Sequence, residues 1–176
     1  MNRTERRLAW VAFGTWMLLC FALQGWLAQG AGASWFPELG LLLLIALVAR
    51  MEERDAWIAG ALAAFLRASV SGEPPIVQLS ALLGLALLVL VLRSSLEIEA
   101  PLLRGALALF GVLATDLWMC LARLARAWWA GAGLEGLRPP LLPLLSVAIS
   151  SGICALLLGP LLAHLPGLSP LRSRRW

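Results

Sequence analysis

Residues 76–92 read IVQLSALLGLALLVLVL, an apolar run with no charged residue and only Gln78 and Ser80 as polar side chains. At about 1.5 Å per residue a helix of this run rises roughly 25 Å, close to the ~30 Å hydrocarbon core of a bilayer. Gly72-Glu73-Pro74-Pro75 stops the chain before it and Arg93 closes it, so the run reads as one membrane-crossing helix between polar ends. Nothing else in a short chain needs so long a stretch of Leu, Val and Ala, because a soluble helix keeps a polar face.

The rest of the chain repeats the pattern. Of its 176 residues 61% are hydrophobic and only 14% charged, against about a quarter charged in a soluble domain. Further apolar segments cover 8–28, 36–49, 56–70, 101–121 and 141–165, giving six predicted spans in a single all-α polytopic membrane domain. The first is too long for a signal-peptide core of about 7–15 residues, so it is expected to be a retained anchor helix despite the cleavage-like Ala31-Gly32-Ala33. The second is short and opens with Pro37 and Glu38, a proline suited to a first helical turn and an acid suited to the positive helix end. Its length fits a tilted, interfacial or re-entrant helix, or a locally thinned bilayer. In the third, Gly60, Ala64 and Ala68 recur every four residues, and in the last Ala148 and Gly152 do so. Small residues at this spacing let helix backbones approach closely in lipid, and these faces are expected to pack inside the bundle.

The positive charges set an orientation. All fourteen basic residues are Arg. With six spans, Arg3, Arg6, Arg7, Arg50, Arg54, Arg93, Arg104, Arg172, Arg174 and Arg175 share one side; Arg67, Arg123, Arg126 and Arg138 share the other. The excess places both termini in the cytoplasm. The basic balance is thus a product of topology, and a nucleic-acid partner is not expected. Trp10, Trp35, Trp57, Trp128 and Trp129 fall near predicted span ends, where tryptophan anchors helices at the interface with membrane lipids.

Catalytic constellations are missing. His164 is the sole histidine, and no HExxH, GxSxG or phosphate-binding loop occurs. Cys20, Cys120 and Cys154 lie singly in apolar runs, as small buried residues do. No enzyme activity, metal or cofactor is expected. The intramembrane polar residues are Asp116, with Arg123 or Arg67 as candidate partner, and Arg67 itself, placed to snorkel toward the interface. The turns at Pro37-Glu38 and Gly72-Glu73-Pro74 fall on the outer side and are candidates for contact with an extracytoplasmic partner.

A basic N-terminus and anchor helix lead into Phe36-Pro37-Glu38-Leu39 at the head of a Leu-rich helix. A charged turn and a third helix with Gly60 follow, then Arg67-Ala68-Ser69-Val70-Ser71-Gly72-Glu73-Pro74, and finally a last span ending Gly159-Pro160-Leu161-Leu162 before a basic tail. This order resembles the MreD family of rod-shape-determining proteins. Glu38 stands where that family commonly has Asp, and Ala68 where it commonly has an Asp before a Ser-Gly turn. The resemblance implies a non-catalytic scaffold in the bacterial cytoplasmic membrane, beside MreC and other wall-elongation proteins, guiding peptidoglycan synthesis. It also implies a fold like that of the substrate-binding subunits of energy-coupling-factor transporters. The alternative is therefore a vitamin-binding membrane subunit of such a transporter. Against it stand spans poor in Asn and Gln, no Tyr at all, and a first helix carrying bulky Trp10, Trp16 and Trp26.

Overall fold

The computed structural model describes residues 3–30, 35–95, 100–131 and 141–172. Six α-helices follow one another: α1 Arg3–Gly30, α2 Leu39–Val48, α3 Glu53–Ser71, α4 Pro75–Ser95, α5 Pro101–Trp129 and α6 Leu141–Ala163, with a short 3₁₀ turn at Ser169–Leu171. Four of them, α1, α4, α5 and α6, are long and apolar enough to cross a membrane, as in a multi-pass membrane protein. Their outward faces carry Leu19, Leu87, Phe110, Leu121, Leu157 and Leu161, all exposed. In water so large an apolar surface would be a liability; in a bilayer it is the required exterior.

The short helix α2 is the hub. It touches all five other helices, and every residue from Gly40 to Val48 is buried. A helix that is apolar all round belongs either to lipid or to a core; here it is core. Its length is thereby released from the bilayer thickness, because neighbours rather than lipid surround its ends, and irregular backbone is tolerated there. At its C-terminal end Arg93 of α4 reaches over and donates to the carbonyls of Met51 and Val48. This supplies a cation and donors where the helix leaves carbonyls unpaired.

Close approach around the hub depends on small residues. Gly40 lies against the ring of Phe21 on α1. Gly60 of α3 faces Leu83, Ala86 and the Leu82 carbonyl of α4 at 3.3–3.4 Å from the position a Cβ would take. Ala64 is also buried and Ala68 partly so. Ala148 and Gly152 of α6 are buried. Gly152 meets Gly105 and Leu109 of α5. The carbonyls of Gly105 and Gly152 each lie 3.2 Å from the other glycine's Cβ position, so a side chain at either would press the two helices apart by a few tenths of an ångström. The segment after α6 folds back onto α1: Leu168 and Leu171 are buried, and Trp16 donates its indole N–H to the Pro166 carbonyl at 3.3 Å.

Candidate functional site

Two charged clusters lie inside or against this apolar bundle, and long-range packing builds both. The first is buried. Arg67, one turn before the end of α3, donates from Nη2 to Oε1 of Glu38 at 3.0 Å, with the two side chains 12% and 9% exposed. The same Nη2 lies 4.0 Å from Oδ1 of Asp116 on α5. The backbone N–H of Glu38 donates to Ser151 Oγ of α6 at 3.0 Å, which satisfies one donor at the head of α2. One guanidinium thus serves two carboxylates and ties α2, α3 and α5 together, with α6 joined through Ser151. The Arg67 side chain is turned inward, onto a carboxylate at the buried head of α2. Glu38 Oε2 and Arg67 Nη1 are buried outside any hydrogen bond. A network left incomplete in this way contributes little net stability.

The second cluster is at the surface. Glu73, in the turn between α3 and α4, receives Arg123 Nε on Oε1 at 2.7 Å and Arg126 Nη2 on Oε2 at 2.6 Å. Partial burial alone would raise the Glu73 carboxyl, but hydrogen bonds and charge from Arg123 and Arg126 outweigh it and hold it below its ordinary value. The sign is then fixed. A depressed folded-state pKa adds stability above the unfolded value, and that stability is lost as pH falls through the folded one. Thermal stability in detergent is expected to fall in acid more steeply for the parent chain than for Glu73→Gln; equal slopes would count against the clasp. The effect is modest, since pairs with half-exposed guanidiniums contribute on the order of 0.2–1 kcal/mol.

The two clusters are complementary in composition. The first holds two carboxylates and one guanidinium, the second one carboxylate and two guanidiniums. A third pair, Arg6 to Asp55 at 2.5 Å, joins the starts of α1 and α3.

The structure separates the residues proposed for partner contact. Glu38 is 7% exposed and engaged by Arg67, and Glu73 is held by two arginines, so neither carboxylate is offered outward. Gly72 is exposed, with φ +68° in the left-handed region that closes α3, and Pro37 and Pro74 are half-buried. A partner at these turns would meet backbone and proline rings rather than acids. Asp116 finds Arg67 within reach, one of its two candidate partners. Its neighbour Thr115 donates back to the Gly111 carbonyl at 2.8 Å. Sequence reasoning missed Ser151 and the pairing of Glu73 with α5; only the surplus of Arg at 123 and 126 signalled the latter.

His164 lies after α6 with Nδ1 2.6 Å from the Pro160 carbonyl, which requires the proton on that nitrogen. The three cysteines are free thiols on α1, α5 and α6. Among the described residues no group of three His, Cys, Asp or Glu side chains is placed to hold a metal ion. No protein-family model, curated protein or solved structure matches the chain.

Proposed function

We propose that this chain is a non-catalytic scaffold of the bacterial cytoplasmic membrane, similar to MreD, which helps position sidewall peptidoglycan synthesis beside MreC. In this reading all six helices cross or enter the bilayer and both termini are cytoplasmic. The observation that carries it is the fate of the polar groups. Glu38, Arg67, Asp116, Glu73, Arg123 and Arg126 are spent on joining helices to one another, in a bundle whose surface exposes many large apolar side chains. Such a molecule offers shape within lipid rather than a reaction. The acidic opening of the second helix, on which the resemblance leans, gains a physical reason: Glu38 fixes the head of a helix that touches every other.

Depth sharpens the point. Ten residues rise about 15 Å, half of the roughly 30 Å hydrocarbon core. With the Arg93-capped end of α2 at the cytoplasmic face, Glu38 lies near the bilayer middle, where ionised side chains are expensive and mark function by default.

The test is affinity purification of the tagged protein in mild detergent, followed by identification of co-purifying chains. MreC and wall-elongation enzymes are expected. Recovery instead of an ATPase pair with a coupling membrane subunit would overturn the scaffold in favour of a vitamin-binding subunit.

A further inference from the structure

We propose that the seam between α4 and α5 binds one anionic phospholipid, an acyl chain lying in the groove and the phosphate meeting Arg126 and Arg123. The groove has a volume of about 340 Å³ and is lined by Ser80, Ala81 and Gly84 on one wall and by Gly111, Thr115 and Trp118 on the other. That volume falls in the range of small-ligand sites, about 300–1,000 Å³, and is too small for a partner helix about 10–12 Å across. The walls are apolar and small. A Cβ placed on Gly84 would meet nothing within 4 Å. At the rim Trp118 donates its indole N–H to Ser80 Oγ at 3.0 Å and keeps 48% of its surface exposed. A helix running along the seam would have to break this bridge, whereas an extended chain can pass over the exposed ring.

Charge selects the headgroup. Gly111, Thr115, Trp118, Ala122 and Arg126 follow at three- and four-residue intervals, so one face of α5 runs from the groove to the guanidinium. Arg126 stands eight residues beyond Trp118, about 12 Å along the axis. Arg123 and Arg126 together share the single carboxylate of Glu73, and their side chains remain 54% and 46% exposed. The cluster therefore carries one positive charge in excess at the end of an apolar groove. Trp128 and Trp129, 70% and 86% exposed, lie beside it with the composition of a membrane–water interface. A neutral phospholipid matches the groove but not this charge.

The experiment is native mass spectrometry of the full chain from mild detergent, with added phosphatidylglycerol or phosphatidylcholine of identical acyl chains. One phosphatidylglycerol per chain is expected to be retained in preference to phosphatidylcholine. Arg126→Gln is expected to weaken that retention about fivefold, the effect of one basic residue at an anionic surface; Arg123 still holds Glu73. Gly84→Phe fills the groove from a position with open space and is expected to abolish retention while circular dichroism stays unchanged. Ala114→Leu, at a residue that lines the opposite wall between Gly111 and Thr115, repeats the test should the Phe variant lose its helicity. Equal retention of both lipids, or an adduct that survives both groove variants, would overturn the proposal. So would a dimer mass that Gly84→Phe removes, because it would put a second copy in the seam. The lipid site does not depend on the scaffold reading, and failure of either leaves the other standing.

Discussion

Gly40→Val will lower the stability of the bundle by about 3 kcal/mol, the upper end of what overpacking a closed core costs. A Cβ at Gly40 falls 2.7 Å from Cζ of Phe21, with other ring carbons nearer still. Neither side can give way. Phe21 is 4% exposed, and α2 is enclosed by five helices, so a shift that relieves one contact creates another. Against a total stability of roughly 5–15 kcal/mol the loss is large. Thermal denaturation in detergent, followed by circular dichroism, measures it. Phe21→Ala placed in the Gly40→Val chain should recover much of the loss by returning the volume. The same valine at Gly84, where nothing lies within reach, should cost nothing. A Gly40→Val chain that melts with the parent would show that α2 does not pack as tightly as described.

Arg67→Ala is expected to cost about 3–5 kcal/mol, the usual result of deleting one partner of a buried ion pair. The loss arises less from the attraction removed than from what stays behind, two buried carboxyl groups with no cation between them. Arg67→Lys should recover only part, because an ammonium is a point charge and lacks the planar fork that reaches two acceptors. Asp116→Asn should cost far less, about 1 kcal/mol or below, since its oxygen stands at 4.0 Å while Glu38 is hydrogen-bonded at 3.0 Å. The ranking is the test. If Asp116→Asn destabilises as much as Arg67→Ala in the same detergent, the principal partner of Arg67 is Asp116 and not Glu38.

Much of this architecture is legible in the amino-acid order. The apolar run at 76–92 lies within α4, and the spacing of Gly60 with Ala64 marks a face of α3 that packs on α4. Both signals are local, carried by neighbouring residues along one helix. The place of α2 is not local. A stretch reading LGLLLLIALV is apolar on every side, and neither its composition nor its period distinguishes a lipid-facing helix from a central one. Its shortness was the available sign, and only contacts with all other helices explain it. The clusters are harder still. Glu38 and Arg67 are 29 residues apart and Glu73 and Arg126 are 53 apart, so a charge near a span end reads as an interface residue until the partner helix is seen. The tight glycines at 40, 105 and 111, the last with Leu85 Cδ1 2.8 Å from its Cβ position, escape for the same reason: their spacing along their own helices is ordinary, and what crowds them comes from elsewhere in the chain.

The order of synthesis is constrained by the head of α2. Its first N–H is accepted by Ser151 and Asp116 approaches its arginine partner, yet α5 and α6 leave the ribosome after α2 and α3. While the chain is being made, the nascent second helix is half a membrane thick and carries Glu38 with Arg67 as its one described partner on α3. Its contacts with α5 and α6 form only once those two helices have been made. The surroundings of the hub are thus completed late, and a ribosome stalled before residue 141 holds a chain in which the head of α2 has yet to meet its Ser151 acceptor.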